Sequence, residues 1–283
     1  MSALLAARCN GRPIGPGGVT LDPTARGLTL GEGVFETLLV LNGRAAWRTA
    51  HLDRLETAAK VLGLRVSRPT LEDELDAILP IGEHGILRMT LSAGTAPRGL
   101  ARFAEEPHGL LLTLAPLPAN MFFQPVRAIT ATIRRNETSP ASRIKSLSCL
   151  DNILAAREAQ AKGCDDALML NTAGNLACAT MANVFVAGDG QFVTPPLSDG
   201  VLPGIARAVL LNAGVAVEAQ IDAQKLSQCP AMFLTNSLRL VMPVTALDGK
   251  ELPRQTPEDI RDVLCKSIAR DCGIDPRELR TAR

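Results

Sequence analysis

The chain has 283 residues, of which 46% are hydrophobic and 21% charged, so it can bury a substantial core, and its length favours two domains. Its 30 basic and 29 acidic side chains leave a formal charge of +1, without the basic excess typical of a nucleic-acid groove. No apolar run approaches the roughly 18–20 residues that span a bilayer. The first residues also lack the basic start of a secretory signal. We therefore expect a soluble, cytoplasmic protein that binds neither nucleic acid nor membrane.

The cysteines and histidines follow no metal-binding or disulfide pattern. The seven cysteines are scattered without a C-x-x-C pair, and the three histidines are far apart. This distribution indicates buried apolar thiols and favours neither a disulfide framework nor a metal site. The sequence contains no tyrosine, so it excludes any mechanism that needs a phenol in the active site.

The first third of the chain alternates strand and helix patterns. A β-rich run over 34–40 ends at Asn42-Gly43, a pair that favours a tight hairpin turn. Apolar residues recur at helical spacing over 52–62 and stop at Gly63, which is a typical helix end. The other elements predicted here are a helix over 71–79 and strands over 86–91 and 109–114.

A proline-containing segment over 115–120 predicts a linker, and the mixture of elements resumes after it. The later predicted elements are strands over 126–132, 167–170, 183–186, 192–194 and 232–235, and helices over 150–162, 205–211 and 257–272. Strands with helices interspersed predict two α+β domains, a smaller one over 1–118 and a larger one over 121–283, with a cleft between them.

Three features could contribute to chemistry, although each has an ordinary structural explanation. Arg54 near a helix start could be a surface charge, and Lys145 among small polar residues could be solvated. Pro203-Gly204 begins a predicted helix, and the free N–H groups of a helix start suit a phosphate. Many ordinary helices begin in the same way, so the order of the features along the chain says more than any one of them.

In that order the features resemble the fold-type IV pyridoxal-phosphate enzymes, which include branched-chain and D-amino-acid aminotransferases and aminodeoxychorismate lyases. The resemblance covers nearly the whole chain. The segments that carry it are Arg26-Gly27-Leu28, Gly31 to Thr37, His51 to Leu55, Lys145 to Ser148 with Asp151-Asn152, Asp166 to Leu170, Ala182 to Phe185, Leu202 to Ile205, Thr235 to Leu238 and Met242 to Val244. It implies an α+β, two-domain architecture like that of D-amino-acid aminotransferase, with pyridoxal 5'-phosphate in the cleft. It also implies a homodimer in which each active site takes loops from the neighbouring subunit.

The resemblance also implies the roles of individual residues. In the family a lysine amine condenses with the cofactor aldehyde and later moves the substrate α-proton; here that lysine is Lys145. Arg54 would bind the cofactor phosphate through its planar, permanently charged guanidinium. The remaining implied phosphate contacts come from Ile205, Ala206, Ser237 and Leu238.

The substrate contact and the contacts to the cofactor ring differ from the family pattern. The segment 94–98 resembles the turn by which D-amino-acid aminotransferases present an arginine to the substrate carboxylate, so Arg98 is the candidate contact; the accompanying histidine is replaced by Leu100. Cys178 occupies the position of the glutamate that pairs with the pyridine nitrogen, and Cys149 that of the usual tyrosine. A neutral thiol stabilises a protonated ring less well than a carboxylate does.

The resemblance leaves three possible functions open. The segments 142–148 and 235–244 look most like the lyase-type members, so we expect an enzyme that eliminates pyruvate from 4-amino-4-deoxychorismate to give 4-aminobenzoate, in folate biosynthesis. One alternative is a class IV aminotransferase that passes an amino group from a branched-chain or D-amino acid to a 2-oxo acid. The other is a catalytically impaired homologue that binds the cofactor or another phosphate ligand. The expected partner is a small molecule with amino and carboxylate groups.

Overall fold

The computed structural model describes residues 4–96, 99–101, 108–188, 190–254 and 258–279. The chain divides into two compact units. The first contains Met1–Pro118, Lys145–Ser148 and Asp271–Ile274, and the second contains Ala119–Ile144, Cys149–Arg270 and Asp275–Arg283. In the described ranges no helix is both long and apolar enough to cross a membrane.

Within its described residues, the first unit is an antiparallel sheet with three α-helices. Its strands are β1 (Ala6–Cys9), β2 (Arg12–Pro13), β3 (Gly33–Leu41), β4 (Arg44–Ala45), β5 (Gly85–Ala93) and β6 (His108–Pro116), in the order β2-β1-β6-β5-β3-β4. Its helices are α1 (Arg26–Thr29), α2 (Arg48–Val61) and α3 (Arg68–Ile78). The predicted strand over 34–40 and the predicted helix over 52–62 are therefore present as β3 and α2, and α2 begins one turn earlier than its apolar spacing indicates.

Strand β3 is buried on both faces, since eight of its nine residues are buried. It pairs with β5 over its whole length and with β4 at its end, and α2 packs against it. A strand covered on both faces is normally a continuous apolar run. Glu36 is the charged residue of β3, with 1% of its surface exposed, and a buried carboxylate needs partners to offset its lost hydration.

The second unit is a mixed sheet with helices. Its strands are β7 (Val126–Thr130), β8 (Asp166–Leu170), β9 (Leu176–Ala179), β10 (Asn183–Ala187), β11 (Phe192–Thr194), β12 (Ala216–Glu218), β13 (Met232–Asn236), β14 (Leu240–Leu247) and β15 (Lys250–Glu251). The order is β12-β11-β10-β13-β14-β7-β8-β9, and β15 pairs with β14. The helices are α4 (Leu150–Ala161), α5 (Ile205–Asn212), α6 (Ala223–Gln228) and α7 (Glu258–Cys272). Both units combine a sheet with helices, which confirms the predicted α+β class.

Strand β14 is a central strand that the sequence pattern does not predict. It pairs antiparallel with β13 and parallel with β7. Pro243 lies within it, opposite Phe233, and a proline inside an apolar run argues against a central strand because it cannot donate to the ladder. The tertiary pairing overrides that local signal, and the bulge between Val244 and Ala246 lies just beyond the proline.

Candidate functional site

Lys145 lies on a short segment that pairs with the beginning of β3. The Phe35 amide donates to the Lys145 carbonyl oxygen at 2.9 Å, and the Leu147 amide donates to the Gly33 carbonyl oxygen at 2.9 Å. Val34 and Ser146 form an antiparallel bridge between these two bonds. The backbone of Lys145 is thus held by the strand that also carries Glu36.

The close approach of this segment depends on a glycine. A Cβ atom at Gly33 would lie 2.7 Å from Leu147 Cδ1 and 2.7 Å from the Leu91 carbonyl oxygen. Such distances are below ordinary van der Waals contact. The Leu91 carbonyl belongs to the backbone of the paired strand β5, so a side chain here would push apart β3 and β5, and β3 is the strand that holds the Lys145 segment. Glycine at this position is therefore a requirement of packing.

The Phe35 ring lies beside two cations. The Lys145 Nζ atom is 4.4 Å from the ring centroid, and the Arg88 guanidinium carbon is 3.7 Å from it. Both distances are within the range of cation–π attraction. The ring therefore helps to position the Lys145 amine.

Arg54 lies in a buried cluster with Glu36 and His51. Its Nε atom donates to Glu36 Oε1 at 2.7 Å and its Nη2 atom donates to Glu36 Oε2 at 2.7 Å, a bidentate pair. His51 Nδ1 lies 2.7 Å from Glu36 Oε2. His51 and Arg54 are three residues apart on α2 and so share one helix face, which meets the carboxylate of β3.

The protonation states in this cluster follow from burial and charge. Burial acts to raise the pKa of Glu36, but the Arg54 charge and the hydrogen bonds from Arg54 and His51 outweigh it and lower the pKa to about 2. Burial is also the largest influence on His51 and lowers its pKa; the charges of Arg54 and Lys145 act in the same direction and Glu36 in the opposite one. At neutral pH the cluster is a carboxylate, a guanidinium and a neutral imidazole, and Lys145 is within electrostatic reach of it.

In the second unit, α5 begins at a glycine in close contact with β10. The Asn183 amide group donates to the Leu202 carbonyl oxygen at 3.0 Å, and a Cβ atom at Gly204 would lie 1.8 Å from Asn183 Oδ1. Gly204 is the N-cap and has no side chain that could cap the helix. The first-turn N–H groups of Ile205 and Ala206 therefore face the helix start, where an anion is favoured.

The turn after β13 lies at the same end of the sheet as the start of α5. Asn183 is directly opposite Thr235 in the antiparallel pairing of β10 and β13. Ser237 and Leu238 follow in the turn that leads to β14. The Leu238 amide donates to Asn236 Oδ1 at 3.0 Å, so its N–H group already has an acceptor within the chain. The structure thus brings the four predicted phosphate contacts of this unit to one end of β10 and β13.

Cys178 lies on β9 among apolar side chains and is 7% exposed. Burial raises the pKa of its thiol to about 11; the Arg135 charge opposes this shift and the Asp166 charge adds to it. The thiol is therefore neutral at physiological pH. Cys149 is half-buried and is the N-cap of α4.

Comparison with known proteins identifies the family. The model of the family described as amino-transferase class IV matches residues 33–247. This chain belongs to the class IV aminotransferase family. It is therefore an enzyme of a pyridoxal-phosphate-dependent family, and its fold is that of the fold-type IV enzymes, as the resemblance implied.

Several class IV relatives are similar along most of their length. A candidate branched-chain-amino-acid aminotransferase of Methanocaldococcus jannaschii is 28% identical over 85% of this chain and 90% of its own. The aminodeoxychorismate lyase of Bacillus subtilis is 26% identical over 88% of this chain and 90% of its own. The crystal structure of a candidate 4-amino-4-deoxychorismate lyase from Legionella pneumophila superposes with a TM-score of 0.80 at 30% identity, covering 88% of this chain and 96% of that one.

Two members of the buried cluster, Glu36 and His51, were not predicted as functional residues. Their sequence signals are a single acidic residue inside an otherwise apolar strand pattern and a histidine one helical turn before an arginine. Either signal alone is weak, because the contact between strand and helix is tertiary. Arg98, the predicted substrate contact, lies outside the residues that the structure describes.

Proposed function

We propose that this class IV enzyme is an aminodeoxychorismate lyase, which eliminates pyruvate from 4-amino-4-deoxychorismate to give 4-aminobenzoate. The observation that carries the proposal is the likeness to the Legionella protein, at 30% identity over 96% of that chain. The Bacillus lyase, similar over 90% of its length, supports it independently. A transamination between amino and 2-oxo acids is the second candidate, favoured by the similarity to the Methanocaldococcus protein.

The donors in this chain fit pyridoxal phosphate as cofactor. Lys145 offers the primary amine that an aldehyde requires, and it is held by the backbone of β3. Arg54 offers a cation for the phosphate, and the uncapped start of α5 offers the N–H groups of Ile205 and Ala206. Ser237 and Leu238, at the same end of β10 and β13 as the start of α5, would offer further contacts to the phosphate.

The chain's own groups then divide the work of the reaction. Pyridoxal phosphate, when bound, supplies a conjugated ring that withdraws electron density from the carbon next to the substrate nitrogen. Lys145 would hold the cofactor through its amine and would take the proton from that carbon of the substrate. Phe35, 4.4 Å from Nζ, limits where the amine can move. Arg98 would bind the substrate carboxylate.

The proposal is tested by assaying the purified protein, loaded with pyridoxal phosphate, for release of 4-aminobenzoate and pyruvate from 4-amino-4-deoxychorismate. In parallel the protein is offered branched-chain and D-amino acids with a 2-oxo acid. We expect 4-aminobenzoate from the parent and none from Lys145→Ala. Amino transfer without 4-aminobenzoate would select the second candidate, and neither product from a cofactor-loaded protein would contradict both.

We also propose that the enzyme is a homodimer, because the resemblance implies active sites shared between subunits. Analytical ultracentrifugation at assay concentrations should give a species of about twice the chain mass of 30.0 kDa. A monomer that retains full activity would contradict this proposal.

A further inference from the structure

Glu36 has no role in the chemistry proposed above, yet it is the carboxylate that joins the other two members of the cluster, Arg54 and His51. Its side chain is 1% exposed. It accepts two hydrogen bonds from Arg54 and one from His51. A carboxylate buried so deeply is retained at a cost in hydration, which only well-formed charged hydrogen bonds offset.

The geometry of the pair restricts the Arg54 guanidinium to one orientation. Both Nε and Nη2 are bonded at 2.7 Å, so the planar group cannot rotate about its long side chain without losing both bonds. The two atoms define the edge that faces β3, and Nη1 lies on the other side of the group. A single hydrogen bond would leave the guanidinium free to swing.

His51 fixes the carboxylate in turn. Its imidazole is fully buried and, since its pKa is lowered, neutral at physiological pH. A neutral imidazole that approaches a carboxylate through Nδ1 carries its proton there and donates it to Glu36. Among the described residues Nε2 has no hydrogen-bond partner, so the ring's polar contact is the one that orients Glu36.

From this chain of contacts we infer that Glu36, held by His51, is a positioning residue that fixes Arg54 for binding the cofactor phosphate. The inference rests on the proposed role of Arg54. Glu36 has two other conceivable effects, and each makes a different prediction. If it only offset the charge of Arg54, removing its charge would strengthen phosphate binding. If it only stabilised the unit, removing it would weaken every ligand equally.

The measurement that separates these effects is the ratio of two dissociation constants, that of pyridoxal divided by that of pyridoxal phosphate. The two probes share the ring and the aldehyde, so the ratio isolates the phosphate contribution. Positioning predicts that Glu36→Gln lowers the ratio about tenfold, the loss of one well-placed charged hydrogen bond, while pyridoxal affinity stays the same. A ratio that rises or stays unchanged overturns the inference.

Two further variants keep the test decisive. Glu36→Asp retains the charge but shortens the side chain, so positioning predicts a lowered ratio here as well. This variant replaces Glu36→Gln in the test if Glu36→Gln does not fold. Glu74→Gln is the matched control, since Glu74 is also buried in the first unit and also pairs with both Nε and Nη2 of an arginine, Arg8. Its ratio should equal the parent's.

The role of Arg54 is checked separately with Arg54→Ala, which should lower the ratio at least as far as Glu36→Gln. The double variant should then match Arg54→Ala alone, because Glu36 acts only through Arg54. An unchanged ratio in Arg54→Ala would contradict the phosphate assignment of the proposed function itself. A further loss in the double variant would instead overturn only the inference about Glu36.

Discussion

The Phe35 amide donates to the Lys145 carbonyl oxygen at 2.9 Å, so the lysine is held by β3, the strand that also carries the buried Glu36. The backbone of β3 thereby fixes the Lys145 backbone, while the next residue along the strand holds Arg54. Two predicted functional residues that are far apart in sequence are positioned by consecutive residues of one strand. Changes in β3 should therefore alter cofactor attachment as well as stability.

The first prediction concerns Gly33. A Cβ atom there would approach Leu147 and the Leu91 carbonyl to 2.7 Å, so Gly33→Ala should cost roughly 1–3 kcal/mol of stability through overpacking. It should also reduce the covalent attachment of pyridoxal phosphate, because a shift of β3 moves the backbone groups to which the Lys145 segment is hydrogen-bonded. Urea unfolding and borohydride trapping measure the two effects.

Gly17→Ala is the control for Gly33→Ala, since a Cβ atom at Gly17 meets nothing within 4 Å. Full stability and full trapping in Gly33→Ala would contradict the packing argument.

The second prediction concerns Cys178, whose thiol is buried and neutral. If it faces the cofactor ring, as the resemblance implies, Cys178→Glu should supply a charge-assisted hydrogen bond where the thiol offers a weak one. Such bonds are worth about 1.5–3 kcal/mol, so a gain confined to the transition state would raise turnover roughly 10- to 150-fold. The rate is compared with that of Cys178→Gln, which has the same size without the charge. A folded, cofactor-loaded Cys178→Glu enzyme no faster than the parent would show that the thiol is not a weakened substitute for a carboxylate.

The third prediction is a pH dependence of stability. The pKa of Glu36 falls from its ordinary value of 4.5 to about 2 on folding. As the pH drops, this carboxylate is therefore protonated in the unfolded chain before it is protonated in the folded protein. The resulting stabilisation, roughly 3 kcal/mol, is present above pH 4.5 and lost between pH 4.5 and 2. His51, whose pKa is also lowered, adds a loss that begins below its ordinary value of 6.5. Urea unfolding from pH 7 to pH 3 should show this decline, and Glu36→Gln should flatten the part below pH 4.5. An equally steep loss of stability below pH 4.5 in that variant would show that other groups cause the decline.

Local sequence patterns predicted much of the fold, because periodicity and turn residues are local properties. The strand before Asn42-Gly43 and the helix that begins after Pro203-Gly204 are present as β3 and α5. Strand β14 was missed because Pro243 conflicts with a central strand, and only its neighbours β13 and β7 explain why it is one.

The buried cluster could be predicted only in part. The spacing of His51 and Arg54 places them on one helix face, but their pairing with Glu36 depends on how α2 crosses β3. The bridge between Val34 and Ser146 likewise joins segments distant in sequence, so no local pattern reports it. Lys145 and Arg54 were assigned from the resemblance, whereas the residues that hold them became visible only in the three-dimensional structure.

The central claim is that Lys145 is the residue that binds pyridoxal phosphate covalently. Its most direct test is borohydride reduction of the cofactor-loaded protein, followed by proteolysis and mass mapping of the modified peptide. We predict a single pyridoxyl-phosphate adduct on Lys145, and none in Lys145→Ala even though noncovalent cofactor binding persists through the phosphate. A reducible adduct on another lysine, or one retained in Lys145→Ala, would contradict the account.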